Sequence, residues 1–104
     1  MRVRLDVSIF SSPVKALGYA TGVVSVSAKP ILRQTFPWPP EWVALHPSYF
    51  SPRQSLIASV DDSGEVVEEC FVTLDGIVCQ SDEDARSCAR FLEQTGGLDF
   101  IEYG

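Results

Sequence analysis

The sequence predicts an α+β domain in which a twisted antiparallel sheet of about five strands packs one face against a helix. Three observations support this class. The N-terminal ten residues alternate apolar and polar side chains, residues 81–95 carry a helical pattern, and turn signals separate short apolar runs. A chain of 104 residues has the size of one domain, spanning 1–104.

The clearest predicted strand covers Arg2–Phe10. Its odd positions are apolar and its even positions up to Ser8 are polar, which is the period of a half-buried strand. The Ser-Ser-Pro sequence at 11–13 is expected to end this strand. A second strand is predicted at about Thr21–Ala28, after an irregular connection.

Residues 35–52, the proline–aromatic segment, differ in composition from the rest of the chain. They include five of the seven prolines, both tryptophans, two phenylalanines, one tyrosine and the single histidine. Prolines at this density exclude a long helix or a central strand. They allow a loop with one short helix at about 40–46, in which Pro39 or Pro40 occupies the first turn.

The second half predicts further strands separated by turns. The predicted strands are Leu56–Val60, Glu65–Leu74, Ile77–Gln80 and Asp99–Tyr103. Turns are expected at 61–64 and at Asp75-Gly76, because aspartate and glycine favour turn conformations.

The predicted helix over Ser81–Thr95 has signals at both ends. Ser81 is the expected N-cap, and Asp84 three residues later completes a capping box in which aspartate replaces the usual glutamate. Apolar residues at 85, 88, 89 and 92 form one stripe along it. The glycine pair at 96–97 supplies a stop.

Charge is divided by position along the chain. Residues 1–60 include six basic and two acidic side chains, whereas residues 61–104 include two basic and twelve acidic ones. The resulting net charge of −6 disfavours direct nucleic-acid binding, which depends on basic side chains, and favours a basic protein partner. The sequence has neither an apolar run of about 20 residues nor a signal peptide at its start, so we expect a cytoplasmic protein without membrane contact.

The residue types of catalytic and metal sites are present without a matching pattern. Cys70, Cys79 and Cys88 are nine residues apart and lack the paired C-x-x-C spacing of zinc sites, so we expect reduced thiols and neither metal nor cofactor. His46 precedes a proline at a predicted helix end, where it would interact with the last carbonyls rather than activate a thiol. The sequence therefore predicts no catalytic residues and a protein that is not an enzyme.

The leading functional hypothesis is a small protein-binding domain, such as an inhibitor, an immunity protein or a phage-type anti-host protein, that acts on a basic, nucleic-acid-binding partner. Tryptophan and tyrosine concentrate at interface hot spots. The predicted partner-binding residues are Trp38, Trp42, Tyr49 and Phe50 as apolar anchors, with Glu65, Glu68 and Glu69 as a charged rim. In the alternative interpretation, the aromatic rings form a lid over the sheet and belong to the core.

Two other functional classes remain open from the sequence. A structural homo-oligomer would pair exposed strand edges between copies of the chain. A small-ligand-binding or enzymatic domain would need a pocket with convergent polar groups.

Overall fold

The computed structural model describes residues 2–61 and 69–103, which adopt an α+β fold. Within these residues one sheet contains β1 (Arg2–Ser12), β2 (Lys15–Ser25), β3 (Ile57–Asp61), β4 (Glu69–Val78) and β5 (Asp99–Glu102). The helices are α1 (Pro40–Leu45), α2 (Pro47–Phe50) and α3 (Asp82–Gln94). The strand order is β3-β4-β1-β2-β5. The predicted α+β class with a five-stranded sheet is therefore confirmed.

The sheet is mixed, whereas the sequence predicted antiparallel pairing. β1 runs parallel to β4, and the other three neighbouring pairs are antiparallel. Parallel neighbours require a long connection, and here β2, both short helices and β3 lie between the two strands in the sequence. The alternation of apolar and polar residues within a strand does not show whether a strand far along the chain pairs with it in parallel or antiparallel orientation.

A hairpin joins β1 directly to β2, in place of the predicted irregular connection. Ser12 pairs with Lys15, so the turn contains only Pro13 and Val14. The Ser12 Oγ accepts a hydrogen bond from the Val14 N–H at 3.4 Å. The second strand therefore covers 15–25 rather than 21–28. Its core-side positions include glycine and alanine, which weakens the alternating hydrophobic pattern in the sequence.

The Asp75-Gly76 pair lies inside β4 and does not form the predicted turn. Val7 pairs with Leu74 and Ile9 pairs with Ile77, so β4 contains one extra residue and bulges. Gly76 adopts a φ of +139°, and a Cβ at this position would lie 2.6 Å from the Phe10 Cε1 atom. The bulge merges two predicted strands into one and keeps apolar side chains of both halves on the buried face.

The core lies between one face of the sheet and the helices. The odd-numbered side chains of β1, from Val3 to Ile9, have no exposed surface. The buried stripe of α3 packs over this face and consists of Ala85, Cys88, Ala89 and Leu92. The predicted helix on one face of the sheet is therefore confirmed, and the even-numbered side chains of β1 lie on the opposite face.

Both predicted ends of α3 are present, but the Asp84 carboxylate accepts a hydrogen bond from the Gln80 N–H and not from that of the N-cap Ser81, so only half of the predicted capping box forms. The Ser81 Oγ accepts a hydrogen bond from the Asp84 N–H at 3.1 Å. After the helix, Gly97 has a φ of +67°, and the Leu98 N–H donates to the Leu92 carbonyl at 3.1 Å. These bonds satisfy backbone groups that a helix end would otherwise leave without partners.

The aromatic rings of the proline–aromatic segment pack into the core. Trp38, Trp42, Tyr49 and Phe50 are only 2–7% exposed. The Trp38 ring lies 4.8 Å from the Phe50 ring between centroids, and Trp42 meets Phe91 of α3 edge-on at 5.6 Å. The predicted short helix corresponds to α1, and Pro47 begins a second one-turn helix that the sequence did not indicate. This packing favours the core-lid alternative for the rings.

Replacing Trp42 with alanine should lower the free energy of unfolding by about 3–5 kcal/mol, because a buried ring is removed and a cavity remains. Chemical denaturation measures this loss. The matched control is Leu45→Ala on the same helix, where the side chain is 64% exposed and little change is expected. Equal stabilities for the two variants would contradict the core assignment.

Two glycine substitutions should separate backbone strain from steric overlap. Gly97→Ala places a Cβ in open space at a positive φ and should cost about 1 kcal/mol of stability. Gly76→Ala adds a clash with the Phe10 ring to the strain and should cost clearly more. Thermal unfolding of both variants compares them, and a smaller loss at Gly76 would argue against the bulge geometry.

Candidate protein-binding site

The predicted partner-binding residues fall into two groups in the structure. Trp38, Trp42, Tyr49 and Phe50 are buried and present almost no area to a partner unless the segment opens. Glu65 and Glu68 lie outside the described residues. Glu69 begins β4, where its backbone pairs with Arg2. The roles proposed for these side chains from the sequence stay predictions.

A different surface is available on the sheet face opposite the core, which we call the open face. Directly paired residues of neighbouring strands share a face, so the register identifies its members. No helix packs over this face in the part of the chain that the structure describes. Its members include Arg4, Asp6, Ser8 and Phe10 of β1, Tyr19, Thr21 and Val23 of β2, Ser59 and Asp61 of β3, Phe71, Thr73 and Val78 of β4, and Asp99 and Ile101 of β5.

A row of polar side chains crosses the middle of the open face. The pairing register aligns one residue from each strand, in the order Ser59, Thr73, Asp6, Thr21, Asp99. Adjacent strands are about 4.8 Å apart, so this polar row extends over about 19 Å. It consists of three hydroxyls and two carboxylates and contains no basic side chain.

Apolar side chains flank the polar row on both sides. On one side Phe71 is 40% exposed, and Arg4 lies between Phe71 and Val23 in the strand register. On the other side Ile101 is 40% exposed and pairs with Tyr19, whose ring lies 5.8 Å from that of Tyr103 between centroids. Exposed apolar side chains that cluster around polar groups are typical of interaction surfaces.

Asp6 occupies the centre of this face, on the central strand of the sheet. Partial burial raises the pKa of its carboxyl group above the ordinary value. Its neighbours across the strands are Thr21 and Thr73, and Arg4 is the nearest charged residue on the same face of β1. Among the described residues the Asp6 carboxylate has neither a hydrogen bond nor an ion pair.

Histidine and cysteine do not come together as a nucleophile pair in the contacts observed. The His46 ring stacks on Tyr49 at 5.2 Å and meets Phe91 edge-on at 4.5 Å between centroids. The backbone N–H of His46 donates a hydrogen bond to the Trp42 carbonyl at 2.9 Å. Across residues 2–61 and 69–103, no group of three or more histidine, cysteine or acidic side chains is arranged to hold a metal ion.

The sequence does not predict the polar row, because the row depends on how distant strands pair. The alternation of β1 assigns Asp6 to the solvent side, but it does not say which residues of distant strands lie beside it.

Among the described residues, no helix is both long enough and apolar enough to cross a membrane. Comparison with known proteins yields no match to a protein-family model, to a curated protein or to a solved structure.

Proposed function

We propose that the protein is a non-enzymatic protein-binding domain whose open face receives a basic partner protein. The observation that carries this proposal is the polar row, which contains two carboxylates and lies between exposed aromatic and aliphatic side chains. Protein interfaces combine apolar anchors with a few well-placed polar groups in this way. The proposed contact surface therefore differs from the aromatic anchors expected from the sequence.

The chemistry of Asp6 specifies what the partner must supply. Docking removes the remaining water from its carboxylate, and an unpaired buried charge is costly, so the partner has to present a cation there. Arginine suits this site because its planar guanidinium binds a carboxylate with two hydrogen bonds and also packs against aromatic rings. The net charge of −6 would accelerate the approach of such a partner.

The size of the open face suits a modest interface. Five strands spaced about 4.8 Å apart, with the observed strand lengths, present roughly 650 Å². A stable complex of standard size buries about 800 Å² on each partner, so contacts at the sheet edges would complete the interface. We propose an inhibitor or immunity-type role, because an acidic domain that covers a basic surface would block the nucleic acid from binding there.

The location we propose is the cytoplasm. The three cysteine side chains are buried thiols, which suits a compartment whose glutathione and thioredoxin systems keep thiols reduced.

The second candidate function is a homo-oligomer. The open face includes Arg4 as well as Asp6 and Asp99, so two copies packed in opposite orientation would bring unlike charges together. Sedimentation of the purified chain distinguishes this assembly from a monomer that awaits a different partner.

The Phe71→Thr and Ile101→Thr double variant should lose at least about tenfold in partner affinity, because two apolar contacts of the open face are removed. Threonine preserves strand propensity, so the fold should persist. Quantitative capture from native extract, followed by titration with the purified partner, measures the loss.

The matched control for this test changes exposed apolar residues elsewhere. Val14 and Leu45 are 93% and 64% exposed, and their double threonine variant should bind like the wild type. Unchanged binding by the open-face variant, or equal loss in the control, would contradict the proposal. A wild-type dimer that the open-face variant converts into a monomer would instead support the homo-oligomer.

The Asp6→Asn variant should be more stable than the wild type at neutral pH but bind the partner more weakly. Burial raises the pKa of the folded carboxyl group, so ionised Asp6 destabilises the fold above that pKa. The stability difference should shrink as the pH falls through the raised pKa and vanish below about 3.9, where the unfolded carboxyl is also protonated.

Thermal unfolding across this pH range tests the sign of the effect. Asp99→Asn is the control, because Asp99 lies in the same polar row but is exposed, and it should change stability little. An Asp6→Asn protein that is less stable than the wild type at neutral pH would show that the carboxylate contributes to the fold.

A further inference from the structure

β5 forms one edge of the sheet and carries backbone groups that point away from it. The strand pairs antiparallel with β2, and the Tyr103 N–H donates to the Leu17 carbonyl at 3.0 Å. Backbone groups alternate in direction along an antiparallel strand, so the N–H and C=O groups of Phe100 and Glu102 point outward. Among the described residues these outward groups have no hydrogen-bond partner. An edge of this kind is a template for pairing with another strand.

The opposite edge of the sheet is partly covered. The Arg33 N–H donates to the Ile57 carbonyl at 2.9 Å, and the Ile57 N–H donates to the Gln34 carbonyl at 2.9 Å. Thr35 forms a β-bridge with Leu56 just before β3. These bonds occupy the start of the β3 edge, so in the part of the chain that the structure describes β5 is the more accessible edge.

A groove of about 270 Å³ runs beside this edge, between α3 and β5. Its lining combines two arginines of α3 with Phe100 and Glu102 of β5. Arg86 forms an ion pair with Glu102 at 2.6 Å. Arg90 is exposed and donates to the Ser87 Oγ at 3.3 Å, and it has no ion pair among the described residues. One guanidinium of the groove is therefore neutralised within the chain, whereas the other meets only a hydroxyl there.

We propose that two copies of this chain form a dimer by pairing their β5 strands antiparallel about a two-fold axis. Phe100 of each copy then lies opposite Glu102 of the other, so all the outward N–H and C=O groups of both residues bond. Ile101 lies opposite its own symmetry mate. A register that opposed the two Glu102 side chains would bring like charges together. The dimer does not depend on the protein-binding function proposed for the open face.

The two copies exchange charge partners on the groove side of this register. Paired residues share a face, so the side chain of Glu102 from the second copy lies next to Phe100. That position adjoins Arg90, which lines the same groove. Each Glu102 therefore lies between Arg86 of its own chain and Arg90 of the other copy. This charge complementarity between identical edges favours a second copy of the chain over an unrelated strand.

The open-face side of the edge is self-complementary as well. Ile101 is 40% exposed in the single chain and would pack on its symmetry mate. Tyr103 is 49% exposed and lies opposite Asp99 of the second copy, so its hydroxyl can donate to that carboxylate. Dimerisation thus covers apolar surface and supplies polar partners on both faces of the joined sheets.

The helices leave room for this pairing. α3 packs against β1, β2 and β5, and β2 is the middle strand of the three. The β2 strands of the two copies would lie three strand spacings apart, or about 14 Å. Packed helices need only about 8–10 Å between their axes, so the two α3 helices lie side by side without overlap. Long side chains such as Arg90 and Glu93 occupy the space between them.

Sedimentation equilibrium of the wild type over about 10 μM to 1 mM tests for the dimer, because a four-residue edge gives an interface of the weak class. We expect the average mass to rise toward twice the 11.4 kDa of one chain. Arg90→Glu should weaken dimerisation at least about tenfold, because it places a carboxylate beside Glu102 of the second copy. Circular dichroism checks that this surface variant stays folded.

The matched control is Phe71→Thr on the open face. Phe71 lies on β4, three strands away from β5, so this variant should dimerise like the wild type. Loss of the dimer in Phe71→Thr would show that the open faces form the interface and would overturn edge pairing. A wild type that stays monomeric throughout would also overturn it and would leave the edge to a strand of a different protein.

An Ile101→Cys variant tests the register. Residues opposed at the two-fold axis form a non-hydrogen-bonded pair with Cα atoms about 4.5 Å apart, which a disulfide can bridge. We expect mild oxidation to give a covalent dimer that dithiothreitol separates. Thr21→Cys, one strand inward on the same face, should stay unlinked, as should the wild type, whose cysteines are buried. An Ile101→Cys protein that stays unlinked, or equal linking of Thr21→Cys, would contradict the proposed pairing.

Discussion

The structure depends on the burial of one face of its central strand. The odd-numbered side chains of β1 from Val3 to Ile9 are apolar and have no exposed surface. β2 and β4 lie on either side of this strand and supply hydrogen bonds to both of its edges. An apolar face at the centre of a sheet has to be covered, and α3 packs on β1 while the proline–aromatic segment joins the same core next to β4. The opposite face of the same strand is polar from Arg4 to Ser8 and has no helical cover among the described residues.

The proline–aromatic segment supports this core through packing between rings more than through hydrogen bonds. Phe36, Trp38, Trp42 and Phe50 contact one another at centroid distances of 4.8–5.8 Å, and Phe91 connects them to α3. The indole N–H of Trp38 is buried without a hydrogen-bond partner among the described residues, which costs about 1–3 kcal/mol. Burial of several large rings outweighs this cost, and prolines reduce the entropy lost when the segment is ordered.

The two sides of the sheet carry different chemistry for the same structural reason. On the core side, close packing buries Cys79 and Cys88 away from water. On the open face, the even-numbered positions of β1 remain accessible, and Asp6 is partly desolvated without a compensating partner in the described residues. Above its raised pKa the ionised Asp6 carboxylate therefore lowers the stability of the fold.

The sequence alone determined the elements whose signals are local. The alternation of β1, the capping of α3 by Ser81 and the short helix after Pro39 depend on neighbours within a few residues, and all three are present. The tertiary structure decided the features that depend on distant pairing: the parallel partnership of β1 with β4, the use of Gly76 as a bulge and the alignment of Asp6 with Asp99. It also placed Trp38 and Trp42 in the core rather than at a surface, because hydrophobicity predicts burial without specifying whether the chain itself or a partner provides it.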